Sequence, residues 1–168
     1  YSLWESMEEV IKYLEKTGSA DVELARKAFS CFEPYEREGQ QYGVYAAFFS
    51  QDCEDEVVKL LHAMQTKKHA EKSSHEDALG AEINSLVAVN AERYYHSMVR
   101  GGPESWNIRD EHMVEALNRL MKFHGNQAKA IIWEHNTHIG DARATDMEKE
   151  GMVNVGQLVR EQKGQKNV

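Results

Sequence analysis

The stretch from Ser74 to Arg100 constrains this chain more than any other. Leu79, Ile83, Leu86, Val87, Asn90 and Tyr94 recur along it at helical spacing. At about 3.6 residues per turn the whole stretch is roughly seven turns long, and Gly101-Gly102-Pro103 ends it. A helix of that length draws its stability from neighbours packed along it, so the rest of the chain is expected to supply helices.

The remaining pattern agrees. Leu3, Met7, Val10, Ile11 and Leu14 mark an amphipathic opening helix, with Ser2 and Glu5 at capping-box spacing and Thr17-Gly18 as a stop. A second helix is expected from about Asp21 to Phe32, turning Leu24, Ala25, Ala28, Phe29 and Phe32 to one side, before Pro34 and Gly39 open a loop. Val57, Leu60, Leu61 and Met64 predict another from Asp52 to about Lys72. Asn107 is the expected N-cap of a fifth, running to Gly125 and burying Met113, Ala116, Leu117, Leu120 and Met121.

After Gly125 the pattern changes. Ala128 to Trp133 is a short apolar run with adjacent isoleucines and polar residues on both sides, which reads as a buried strand. A strand needs ladder partners that this sequence does not obviously provide. From Gly151 to Val168 one further helix or strand is expected at Val153 to Arg160, then a polar tail. The fold class read from this is α/β: a predominantly helical fragment of about five helices with a few short strands. It divides into a helical region over 1–125, a strand and loop over 128–146, and a C-terminal segment over 151–168.

At 168 residues the chain fits one domain that buries roughly two thirds of its unfolded surface. Its 28 acidic residues against 20 Lys and Arg give a net charge of −8, which repels nucleic acid and anionic membranes. No apolar run approaches the ~20 residues of a membrane-spanning helix. Cys31 and Cys53 lack zinc or CxxC spacing and are as compatible with two thiols as with a bridge; the compartment expected is the cytoplasm. The chain begins at Tyr1, directly ahead of the first helical pattern, which reads as an excised domain or fragment.

The chemistry concentrates in Trp133-Glu134-His135-Asn136-Thr137-His138-Ile139-Gly140-Asp141, set directly after the expected strand, where open α/β folds place their ligands. His135 and His138 share a face only if the chain turns there, and a turn is expected. Imidazoles held by Glu134 or Asp141 can move protons or bind an oxyanion, or simply donate structural hydrogen bonds to loop carbonyls. Arg109 falls on the apolar stripe of its helix and is expected to point inward, with Asp110 or the loop carboxylates as compensation. Tyr94 and Tyr95 read as core, and Trp106 as a packing residue at the head of its helix. No Gly-x-Ser-x-Gly elbow and no His-Glu-x-x-His motif is present. A metal held by His135, His138 and Asp141 is an alternative, and a non-catalytic helical interaction module is another.

Tyr1-Ser2-Leu3-Trp4-Glu5-Ser6-Met7, Cys31-Phe32, Ser105-Trp106-Asn107-Ile108-Arg109-Asp110-Glu111-His112-Met113 and Trp133-Glu134-His135-Asn136-Thr137-His138 together resemble the erythromycin esterase family, in order and spacing, across nearly the whole chain. The likeness is strongest to the branch whose esterase-like domain is joined to a phosphoribosyltransferase-like domain. The resemblance implies a larger α/β domain that hydrolyses a macrolide lactone or another small-molecule ester; no cofactor is expected. The likeness carries over His135 and His138, and Arg109 with Asp110, to the site; His135, His138 and Arg109 are expected to be catalytic, with Glu134, Asn136, Asp110 and Asp141 supporting them. In that family the water-activating His and Glu come from a Gly-Glu-x-x-His-Gly segment, which this sequence lacks. The fragment alone is therefore expected to be inactive. The sequence does not fix the oligomeric state.

Overall fold

A computed structural model describes residues 2–49, 52–66 and 73–164. Two compact units make up the chain, Tyr1–Arg100 and Gly101–Val168. Among the described residues there are eight α-helices and no strand, and none of the helices is long and apolar enough to cross a membrane.

The first unit contains α1 (Leu3–Thr17), α2 (Val22–Ser30), α3 (Gly39–Phe49), α4 (Glu54–Thr66) and α5 (His75–Met98). The long helix α5 is its axis: α1, α3 and α4 pack against it, and α2 lies against α1 and α4. α1 buries Leu3, Met7, Val10 and Leu14 as its spacing predicts. Gly18 ends it in the left-handed region, φ 64°, returning its N–H to the last turn. Ser2, in contrast, makes no side-chain cap. Ser74 does cap α5, accepting the Asp77 N–H at 3.0 Å.

Two expectations for this unit fail for identifiable reasons. The single stripe on α5 is not its only buried face, since Ala81, Ser85, Ala88, Ala91 and Ser97 are buried beside Leu86 and Val89. A helix with neighbours on several sides has no polar back, and small residues let those neighbours approach. The loop expected after Pro34 is mostly helix: α3 fills it after a short 3-10 turn at Glu33–Tyr35. Gly39 reads as part of a loop, but both glycines of α3 are points of close approach. A Cβ at Gly43 would lie 2.2 Å from the Tyr95 carbonyl oxygen, and one at Gly39 would lie 2.3 Å from the Tyr95 ring. The continuation of α4 from 67 to 72 lies outside the described residues.

Cys31 and Cys53 form a disulfide, Cα–Cα 5.9 Å, that ties the end of α2 to the residue before α4. Beneath it lies a buried polar chain. The Cys53 N–H donates to the Tyr42 hydroxyl at 2.9 Å, which donates to Glu92 Oε1 at 2.7 Å. Tyr42, Cys53 and Glu92 are all fully buried. Glu92 Oε2 has no hydrogen-bond partner among the described residues. Burial, the largest influence, pushes the Glu92 carboxyl up to about 7, against the pull of the Tyr42 hydroxyl.

The second unit contains α6 (Glu104–His124), the single-turn α7 (Asn136–Ile139) and α8 (Val155–Lys163), with α8 packed on both. α6 starts at Glu104 after Pro103 and not at Asn107. Proline supplies the φ of a first turn, and Asn107 is used for tertiary hydrogen bonds instead. The expected strand is absent: residues 128–135 run as an irregular segment. With no strand among the described residues to pair with, Ile131 and Trp133 each stand 93% exposed. The apolar face expected on α6 is likewise only partly covered, and its buried residues are Asp110 and Val114.

Candidate active site

The second unit joins the first half of α6, the loop 134–141 and the start of α8. Trp106 and Asp110 sit four residues apart on α6 and therefore lie on one face. Three groups around them bind the segment 151–155 to the helix. Asn107 donates to the Gly151 carbonyl at 3.0 Å and accepts the Val153 N–H at 2.9 Å. Trp106 Nε1 donates to the Val153 carbonyl at 2.8 Å. The Val155 N–H, at the head of α8, donates to Asp110 Oδ2 at 3.0 Å.

Asn154 fixes the loop against this frame. It caps α8 by accepting the Gln157 N–H at 2.9 Å, also accepts the Ala142 N–H, and donates to the Thr137 carbonyl at 2.9 Å. It is 1% exposed, so each of these bonds replaces water that it has lost. Gly156 lets the two backbones meet, since a Cβ there would fall 1.8 Å from the Gly140 carbonyl oxygen. Arg160 donates to that same carbonyl at 3.1 Å.

His138 is the imidazole this frame presents. Its Nδ1 lies 2.9 Å from both carboxylate oxygens of Asp110, which is wholly buried while the His138 side chain is 15% exposed. A carboxylate only accepts, so Nδ1 carries the proton and Nε2 remains as the second ring nitrogen. Burial raises the Asp110 carboxyl above its ordinary range, although His138, the Val155 N–H and Arg109 each pull it back. Trp106 lies flat on the His138 ring, centroids 4.7 Å apart and planes 2° from parallel. Glu134 approaches from the loop. Its Oε2 is buried with no hydrogen-bond partner among the described residues, and burial raises its carboxyl despite the opposing influence of His138.

The predicted residues therefore divide. Asp110 and His138 are in contact, Glu134 is within their electrostatic reach, and Arg109 joins them through Trp106, with Cζ 5.9 Å from the indole centroid. Arg109 itself is exposed, not inward as its stripe suggested; the inward position belongs to Asp110, one residue on. The turn expected between the histidines is α7, but the two imidazoles have different tasks. His135, exposed, is the N-cap of α7, its Nδ1 accepting the Thr137 N–H and lying 3.0 Å from Thr137 Oγ1. Asn136 is exposed in the first turn of α7. Asp141 is gripped by Arg143 at 2.9 and 2.7 Å, which lowers its carboxyl. The metal alternative loses its geometry, because no group of three His, Cys, Asp or Glu side chains among the described residues is placed to hold an ion.

Trp106, Asn107, Asn154 and Gly156 were not singled out for a site by sequence reasoning. Trp106 and Asp110 at four-residue spacing was the available signal. A hollow of about 580 Å³ exists elsewhere in this unit, between Leu117, Leu120, Met121 and His124 of α6 and residues 127–130. None of the predicted site residues lines it.

These features define a helical protein whose second unit holds a buried carboxylate against a partly open imidazole. The chain belongs to the erythromycin esterase family: the family model described as Erythromycin esterase matches residues 1–168, and membership carries a hydrolase-like function. No solved structure matches the chain.

Proposed function

We propose that this chain supplies one half of the active site of a hydrolase that cleaves a carboxylic ester or lactone, with His138 and Asp110 at its working centre. The observation that carries this reading is the Asp110 carboxylate on His138 Nδ1. That contact leaves Nε2 for substrate, and a buried acid that orients an imidazole stabilises its charged form during proton transfer.

The step divides as follows. A base activates water for attack on the ester carbonyl. The carbonyl electrons move to oxygen, where Arg109 and His135, both on the exposed side, offer positive charge or N–H donors. When the carbon–oxygen bond breaks, His138 Nε2, protonated in the imidazolium form that Asp110 stabilises, gives its proton to the departing alkoxide. It regains one from the base that took it from water, so that an acid and an alcohol leave. The base comes from outside these 168 residues, since the Gly-Glu-x-x-His-Gly segment is not among them. On this reading the fragment alone is inactive and belongs to a larger α/β domain. Macrolides are one substrate class within it, and a joined phosphoribosyltransferase-like domain is a further expectation. The test is hydrolysis of lactones and simple esters by the full-length protein, where His138→Ala is expected to lower turnover about 10²- to 10⁴-fold. Unchanged turnover would overturn the proposal.

The exposed Ile131 and Trp133 favour a second reading, in which this unit docks onto another protein surface and the histidines serve structure alone. Activity loss confined to His138 and Asp110 variants separates the two. A bridge between Cys31 and Cys53 persists where the environment is oxidising, which weighs against the cytoplasm.

A further inference from the structure

We infer that Trp106 is a positioning residue that holds His138 in one ring orientation and one protonated form, an inference that rests on the reading of His138 as the working imidazole. The second side-chain torsion of histidine is soft, so a ring attached only through an edge contact can rock or turn over. Turning over exchanges the nitrogen that faces Asp110 for a carbon. Asp110 restrains the ring at its edge, through Nδ1 at 2.9 Å. The indole of Trp106 restrains it across its face, 4.7 Å away and 2° from parallel. Together the two contacts remove both motions.

The indole is suited to this because it is itself immobilised. Its Nε1 donates to the Val153 carbonyl at 2.8 Å, beside the two bonds by which Asn107 grips the same segment. Arg109 adds a cation against the indole ring. Since Trp106 and Asp110 are one helical turn apart on α6, both restraints belong to a single rigid element. A tryptophan serving only as apolar packing would not need to lie parallel to a partly exposed imidazole.

The experiment uses the full-length protein labelled with ¹⁵N in its histidines, at mildly alkaline pH, with His138 assigned through loss of its signals in His138→Gln. In the wild type the His138 ring protons are expected upfield, under the indole ring current, with the proton on Nδ1 only. Trp106→Leu should abolish the upfield displacement and bring in a second set of signals with the proton on Nε2. Trp106→Phe, which keeps an aromatic face, should restore most of the single form. Wild-type ring protons without upfield displacement would overturn the inference whether or not the variants fold. So would a folded Trp106→Leu protein with unchanged His138 signals. Asp110→Asn tests the underlying reading separately: if it leaves the Nδ1 proton in place, the Asp110–His138 couple fails, whatever Trp106 does. None of these measurements requires a substrate.

Discussion

Glu92→Gln should remove a pH dependence of folding that the first unit owes to one buried carboxyl. Glu92 is fully buried, accepts the Tyr42 hydroxyl through Oε1, and has Oε2 without a partner among the described residues. Burial pushes its carboxyl up to about 7 from an ordinary value of 4.5; Glu54 and Asp52 push the same way, while Tyr42 and Arg93 oppose. A difference of about 2.5 pH units corresponds to about 3 kcal/mol, at about 1.4 kcal/mol per unit. The sign follows from proton uptake. Above 4.5 the unfolded chain gives up this proton while the folded chain keeps it, so the stabilisation is complete below 4.5 and is lost as the pH rises through about 7. Glutamine keeps an oxygen for the Tyr42 hydroxyl and does not titrate. Urea unfolding followed by far-ultraviolet circular dichroism at several pH values from 4.5 to 8 is the assay. Relative to the variant, the wild type should lose about 3 kcal/mol across that range. Parallel stability profiles for the two proteins would refute the reasoning.

Further predictions follow from the same geometry. Replacing Cys31 and Cys53 together by alanine should cost about 3 kcal/mol, the loop-closure value for a bridge spanning 22 residues, read as a fall in the urea midpoint of the oxidised wild type that reducing agent reproduces. Gly156→Ala should destabilise the second unit by about 1 to 3 kcal/mol, because its Cβ meets the Gly140 carbonyl at 1.8 Å and backbone must shift. A thermal midpoint unchanged by that substitution would mean α8 does not press on the loop as described.

The helical character of the chain was legible in its apolar spacing, and α1, α2, α4 and the start of α5 fall where that spacing puts them, because each follows local periodicity. α3 was missed because Pro34 and Gly39 read as the opening of a loop, whereas Gly39 and Gly43 are points of contact with Tyr95, which no local pattern records. The run Ala128 to Trp133 has the composition of a strand, but a strand exists only with a ladder partner, and composition cannot supply one. Arg109 was placed inward by assuming that the apolar stripe of α6 is its buried face. The bonds from Asp110 to Val155 and His138 turn the inward direction one residue further along, leaving Leu120 and Phe123 largely open. The candidate site was thus readable as a region, since residues 134–138 include the imidazole that meets the buried Asp110. Which histidine meets a buried carboxylate was not, because that contact depends on a residue 28 positions away.

The most direct test of the account is a double-mutant cycle on kcat/KM of the full-length protein with its best ester. If Asp110 acts through His138, then Asp110→Asn in a His138→Ala background should cost almost nothing further, although alone it lowers the rate. Losses that simply multiply would contradict the claim that the two residues work as one unit.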